Sequence, residues 1–196
     1  MATVQNDCLA FIHVPKTGGS WVTEAMRVAG VECRPAERLY GSERFGHLIH
    51  LEVPADRFRF GFVREPADWY RSFWCHRHTH QDWQEDEKMP LDALSRGSFP
   101  EFIERVTTEL PGYLTRLYEH YLGPPGEIDF VGRYENLRED LIHALSEAGD
   151  YHLDAVRQLD PVNASRRLAD LTPELSERVL EAERGVTQRF YPQVLS

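Results

Sequence analysis

The stretch Phe11-Ile12-His13-Val14-Pro15-Lys16-Thr17-Gly18-Gly19-Ser20-Trp21 decides how the rest of the chain is read. Leu9 to Val14, apolar with β-branched members and stopped by Pro15, has the pattern of a short buried strand. Beyond the Pro-Lys-Thr-Gly-Gly turn, Val22, Ala25, Met26 and Ala29 recur at i, i+3, i+4 and i+7, which is one face of a helix that Gly30 ends. Strand, glycine turn and helix make an anion-holding unit. Glycines let the backbone approach an anion closely, and the first turn of the helix points unpaired N–H groups at it. Lys16 adds a full charge beside them. The order differs from the nucleotide-triphosphate loop G-x-x-x-x-G-K-[ST], because the lysine precedes the glycines and no glycine stands upstream of it.

Working outward, the same junction recurs twice. Phe58-Arg59-Phe60-Gly61-Phe62-Val63 alternates as a strand and runs into Arg64-Glu65-Pro66, with Pro66 placed as the first residue of a helix carrying Trp69, Tyr70, Phe73 and Trp74. Ile128 to Gly132 predicts a third strand, after which Arg133-Tyr134-Glu135-Asn136 lead into a helix marked by Leu137, Leu141, Ala144, Leu145 and Ala148. Between them, Ser98-Phe99-Pro100-Glu101 has the form of a capping box, and a further helix follows Pro111-Gly112 with Leu114, Leu117, Tyr118, Tyr121 and Leu122 inward. Gly123-Pro124-Pro125-Gly126 is a firm break, residues 150–170 hold a short helix and a loop, and the last helix starts at Thr172-Pro173. Residues 31–56 read as loops with short elements, and Cys75 to Gly97 as an exposed loop or lid. Strands alternating with helices predict an α/β fold, a single domain over 1–196 with a parallel sheet flanked by helices. Ligands then bind at the carboxyl ends of the strands, where the three junctions sit.

At these residues the sequence resembles the sulfotransferases that use 3′-phosphoadenylyl sulfate, most closely their carbohydrate-type branch and its bacterial relatives. Pro15-Lys16-Thr17-Gly18-Gly19-Ser20, with Trp21 following, is similar to the family's loop for the 5′-phosphosulfate. Arg64, with Ser72 eight residues later, resembles its clamp for the 3′-phosphate, and Tyr134 within Arg133-Tyr134-Glu135-Asn136-Leu137 matches the tyrosine near the adenine. The motifs span roughly the first 140 residues. The resemblance implies a P-loop-like nucleotide-binding architecture, with 3′-phosphoadenylyl sulfate as donor and adenosine 3′,5′-bisphosphate as product. It implies a sulfuryl transfer in line to a hydroxyl or amine of a small-molecule or carbohydrate acceptor.

That chemistry is a matter of positioning and electrostatics. Lys16 is the candidate cation for the departing phosphate oxygen. His47, in Phe45-Gly46-His47-Leu48, resembles the Gly-His segment from which some carbohydrate sulfotransferases draw their base, and a reference pKa near ~6.5 suits the role. His50 and Glu24 are the alternatives. Trp69, Trp74, Trp83 and the histidine-rich loop are candidates for an acceptor pocket. His76, His78 and His80 alternate as ligands on an extended segment do, but no Cys or carboxylate partner completes a set of four, so no metal is expected. An ATP-dependent phosphoryl transferase, and a non-catalytic nucleotide-binding protein of the same fold, are the competing readings.

Composition bounds the partners. A net charge of -10 argues against general nucleic-acid binding, which needs a basic face to replace counterions, and an acidic lid disfavours highly sulfated polymers. No apolar run approaches the ~20 residues of a membrane span. Met1 to Cys8 lacks the basic and apolar regions of a secretory leader, so a cytoplasmic protein is expected. Without secretion the Asn163-Ala164-Ser165 sequon stays unmodified. Three cysteines at no metal or redox spacing read as plain thiols, and the oligomeric state is left open.

Overall fold

The computed structural model describes residues 4–32, 34–35, 38–40, 43–45, 48–80, 90–160 and 169–195. In chain order these form β1 (Val4–Gln5), β2 (Leu9–Ile12), α1 (Gly19–Val28), β3 (Arg34–Pro35), β4 (Arg38–Tyr40), β5 (Glu43–Phe45), β6 (Phe58–Val63), α2 (Pro66–His80) and α3 (Pro90–Leu94). Then follow α4 (Phe99–Glu109), α5 (Tyr113–Leu122), β7 (Phe130–Arg133), α6 (Leu137–Ala148), α7 (Leu153–Gln158), α8 (Pro173–Ala182) and α9 (Arg184–Phe190). The chain divides into two compact units, one of Met1–Arg64 with Tyr118–Asn163, the other of Glu65–Leu117 with Ala164–Ser196.

The first unit holds the sheet, in the order β3-β1-β2-β6-β7. β2, β6 and β7 are parallel, with Phe11 beside Phe60 and Phe60 beside Phe130. Alternation along these strands sends Leu9, Phe11, Phe60 and Phe62 to one face, where they pack with Trp21, Val22, Ala25 and Met26 of α1, Leu141 and Leu145 of α6, and Val156 of α7. Phe11, Phe60 and Phe62 have ring centroids 5.5–6.1 Å apart, so truncating one of them to Ala costs about 3–5 kcal/mol. On the other face, a Cβ at Gly61 would come 2.5 Å from Leu122 at the end of α5, so that helix lies directly on the strand.

The expected all-parallel sheet is corrected at its edge: β1 runs antiparallel to both β2 and β3, and the sheet is mixed. The turn from β1 to β2 is built by Asn6, whose Oδ1 accepts the N–H groups of Cys8 and Leu9 while its own N–H donates to the Leu9 carbonyl. A two-residue strand carries no readable period, so only this turn chemistry could have announced it.

The second unit is helical. Pro66 opens α2 as expected, and Glu65 receives the N–H groups of Ala67 and Asp68. Trp69, Tyr70, Phe73 and Phe102 form its aromatic core. The exposed loop expected from Cys75 is corrected, since α2 continues to His80 and α3 follows within the same stretch. Two of its described polar side chains turn inward: Arg77 lies 2.7 Å from the fully buried Asp92, and His78 stacks on Trp74 and bonds the Ser95 carbonyl oxygen at 2.9 Å. Glu183, 1% exposed, accepts hydrogen bonds from the Tyr70 hydroxyl, the N–H groups of Leu114 and Thr115, and the Thr115 hydroxyl. No helix among the described residues is long and apolar enough to cross a membrane.

Candidate functional site

At the carboxyl end of β2 the chain turns through two left-handed residues. Lys16 has φ 66, and among the described residues it is the only non-glycine with positive φ; Gly18 has φ 86. Such a backbone is costly for a lysine, at about 1–2 kcal/mol, and outliers of this kind concentrate at functional sites. The turn is anchored beneath by Thr17, which is fully buried and donates its hydroxyl to the Val14 carbonyl at 2.8 Å. Gly18 is the N-cap of α1, with no side chain to satisfy the helix's first N–H groups. The earliest intrahelical bonds run from Trp21 and Val22 to the Gly18 carbonyl, so the N–H groups of Gly19 and Ser20 precede the helical ladder.

Close approach explains both glycines. A Cβ on Gly19 would fall 2.1 Å from the His13 ring, which is itself buried at the end of β2. One on Gly18 would fall 2.7 Å from Leu137 and 3.1 Å from Tyr134. The loop is therefore pressed against the β7–α6 junction. Arg64, just past β6, joins them: its Nη1 donates to the Lys16 carbonyl at 3.2 Å and its guanidinium carbon lies 3.9 Å from the centre of the Tyr134 ring. Three separate stretches of sequence, at 16–18, 64 and 134–137, thus meet at the carboxyl ends of three parallel strands. The Arg64 guanidinium and the backbone of Lys16 meet there, in a chain whose net charge is -10. Compared with protein-family models, curated proteins and solved structures, the chain matches none.

The other expected residues fall in different places. Pro15, in the loop, and Ser20, in the first turn of α1, are partly buried. Trp21 is buried beneath it, its Nε1 donating to the Asp160 carbonyl at 3.1 Å. Arg138 donates to the neighbouring Leu159 carbonyl and lies 6.0 Å from the Trp21 ring, which ties the chain leaving α7 to α1. Ser72 is buried in the second turn of α2, in the second unit. His47 lies outside the described residues, as do Trp83 and the acidic residues 82–87.

Of the alternative bases, Glu24 is bound to Arg27 by two hydrogen bonds of 2.6 and 2.8 Å, and the first of their effects is to hold its carboxyl below the ordinary carboxylate range. His50 is buried against Gly123, and its Nδ1 has no hydrogen-bond partner among the described residues. Gly123 is the first residue past α5, next to Leu122, which lies against Gly61 of β6, so His50 packs beside the end of that helix. Trp69 and Trp74, candidates for an acceptor pocket, are buried in the second unit's core at 2% and 8% exposure.

His76, His78 and His80 are helical, not extended, so successive members point about 200° apart around α2. His76 and His80 share a face, with ring centroids 4.3 Å apart, while His78 is engaged with Trp74 and Ser95.

Two contributors escaped the sequence reading. His13 fills the space that Gly19 leaves, and only its place inside the opening stretch hinted at it. Tyr118, expected as plain core, bonds the Arg64 backbone twice: its hydroxyl accepts from the N–H at 2.9 Å and donates to the carbonyl at 3.0 Å.

Proposed function

We propose that this chain is a sulfotransferase that moves a sulfuryl group from 3′-phosphoadenylyl sulfate to a hydroxyl or amine of a small-molecule or carbohydrate acceptor. The observation that carries the reading is the junction of Arg64 with the left-handed Lys16–Gly18 turn and the Tyr134 ring. A donor with two separate phosphate positions needs two anchors held at a fixed separation, and the hydrogen bond from Arg64 to the Lys16 carbonyl fixes the guanidinium against the loop. The lysine-before-glycine order supports this donor over a nucleoside triphosphate.

In this reading the loop N–H groups and Lys16 hold the 5′ end and stabilise charge on the departing phosphate oxygen. Arg64 takes the second phosphate through charge-assisted hydrogen bonds. The bond between sulfur and the donor phosphate oxygen breaks as the acceptor oxygen or nitrogen bonds to sulfur, and His47 receives the acceptor's proton, a role drawn from the sequence alone.

Radiolabelled donor incubated with a panel of sugar and small-molecule acceptors tests the proposal. Label should pass to at least one acceptor, and Lys16→Ala should slow that transfer about 10²–10³-fold. Turnover of ATP with magnesium, in place of any use of the sulfated donor, would revive the phosphoryl-transfer reading.

A further inference from the structure

We propose that Tyr118 is the positioning residue of the second phosphate site, acting through the backbone of Arg64; this rests on the donor-binding reading above. β6 ends at Val63, which pairs with Arg133 of β7, so Arg64 is the first residue past the sheet ladder. Its peptide groups need other partners there. One hydroxyl supplies both: the Tyr118 phenol accepts from the Arg64 N–H at 2.9 Å and donates to the Arg64 carbonyl at 3.0 Å. Tyr118 is 1% exposed, so its ring is fixed by packing and the hydroxyl is a rigid stop rather than a swinging one.

That stop sets where the Arg64 side chain begins. The guanidinium end is then confined by the Lys16 carbonyl at 3.2 Å and the Tyr134 ring at 3.9 Å. An arginine has many rotamers to lose on binding, and holding it at both ends before ligand arrives removes much of that loss from the binding step. Tyr134 and the loop position the guanidinium; Tyr118 positions the backbone. Losing the phenol oxygen leaves the packing volume of the ring and releases both peptide groups of Arg64, so the effect should fall on the second phosphate and spare the first.

The test is calorimetry on the full chain with two nucleotides, adenosine 3′,5′-bisphosphate and adenosine 5′-monophosphate, which differ only in the second phosphate. In the unmodified chain the bisphosphate should bind much more tightly. Tyr118→Phe should cut that preference about tenfold, the equivalent of about 1.4 kcal/mol. It should leave monophosphate affinity unchanged within about twofold, well under the spread expected of a lost contact. Arg64→Ala should abolish most of the preference, and adding Tyr118→Phe to it should change nothing further.

An unchanged preference in Tyr118→Phe, or equal weakening of both nucleotides, overturns the assignment while leaving the donor reading intact. An unmodified chain that binds neither nucleotide overturns both. Should the Phe variant fail to fold, hydrogen exchange of the Arg64 amide in the unmodified chain keeps the assignment falsifiable: the amide should be protected by its bond to the Tyr118 hydroxyl, and exchange at the rate of an unbonded amide overturns the assignment.

Discussion

Three glycines of the first unit separate backbone strain from steric overlap. Gly126 has φ 86 and nothing within 4 Å of an added Cβ, so Gly126→Ala isolates the cost of a left-handed residue, about 1–2 kcal/mol. Gly19 has no positive φ, but an added Cβ would fall 2.1 Å from Cδ2 and Nε2 of the buried His13. Gly19→Ala therefore isolates overpacking, about 1–3 kcal/mol, from which better helix propensity returns up to about 1 kcal/mol. Gly18 combines φ 86 with overlaps of 2.7 Å on Leu137 and 3.1 Å on Tyr134, so Gly18→Ala should cost the sum, about 2–5 kcal/mol. For a chain of this length each kcal/mol lowers the melting temperature by about 2–4 °C. Thermal unfolding should thus rank Gly18→Ala as the least stable of the three. His13→Ala in the Gly19→Ala background should recover stability, because the cavity left by the imidazole admits the new methyl group. A Gly19→Ala variant that melts with the unmodified protein, or a Gly18→Ala variant that melts above Gly126→Ala, would refute the packing described for the loop.

Other substitutions probe separate links. Lys16→Gly should raise the melting temperature, by relieving about 1 kcal/mol of left-handed strain, while nucleotide affinity measured by calorimetry falls; a gain in neither stability nor loss in affinity would contradict a strained functional lysine. Glu183→Ala strips the acceptor from four donors around Tyr70, Leu114 and Thr115, and urea unfolding should show a loss of about 3–5 kcal/mol. The Ser98 side chain, and then its backbone, hold the Glu101 carboxyl below its ordinary pKa. A depressed folded-state pKa gives stability that is present above the unfolded value near ~4.3 and lost as pH falls through the folded one. Melting curves of Glu101→Gln and the unmodified chain should therefore differ at pH 7 and converge in acid.

Period and punctuation made much of the architecture legible before any coordinates. The Leu9 run, the apolar face of α1, the alternation of Phe58 to Val63, Pro66 at the start of α2 and the Ser98–Glu101 capping box are local signals, and each element formed where its signal stood. Local signals failed where polar groups find partners far along the chain. The composition after Cys75 reads as exposed, yet Arg77 finds Asp92 and His78 finds Ser95, and those pairings keep α2 helical to His80. β1 was invisible because two residues carry no period. The site follows the same division. Lys16, Gly18, Arg64 and Tyr134 stood out because residue type and strand-end position coincide. Tyr118 did not, since a tyrosine at helical spacing reads as core and only the fold brings its hydroxyl to a residue 54 positions away.

The most direct measurement of the central claim is the affinity of the unmodified chain for adenosine 3′,5′-bisphosphate by titration calorimetry, set beside ATP with magnesium and repeated with Lys16→Ala. The account predicts saturable one-site binding of the bisphosphate, preferred over ATP, and weakened at least about tenfold when the lysine is removed, as expected for a lost charge-assisted contact. No binding of the bisphosphate, or binding indifferent to Lys16, would contradict it.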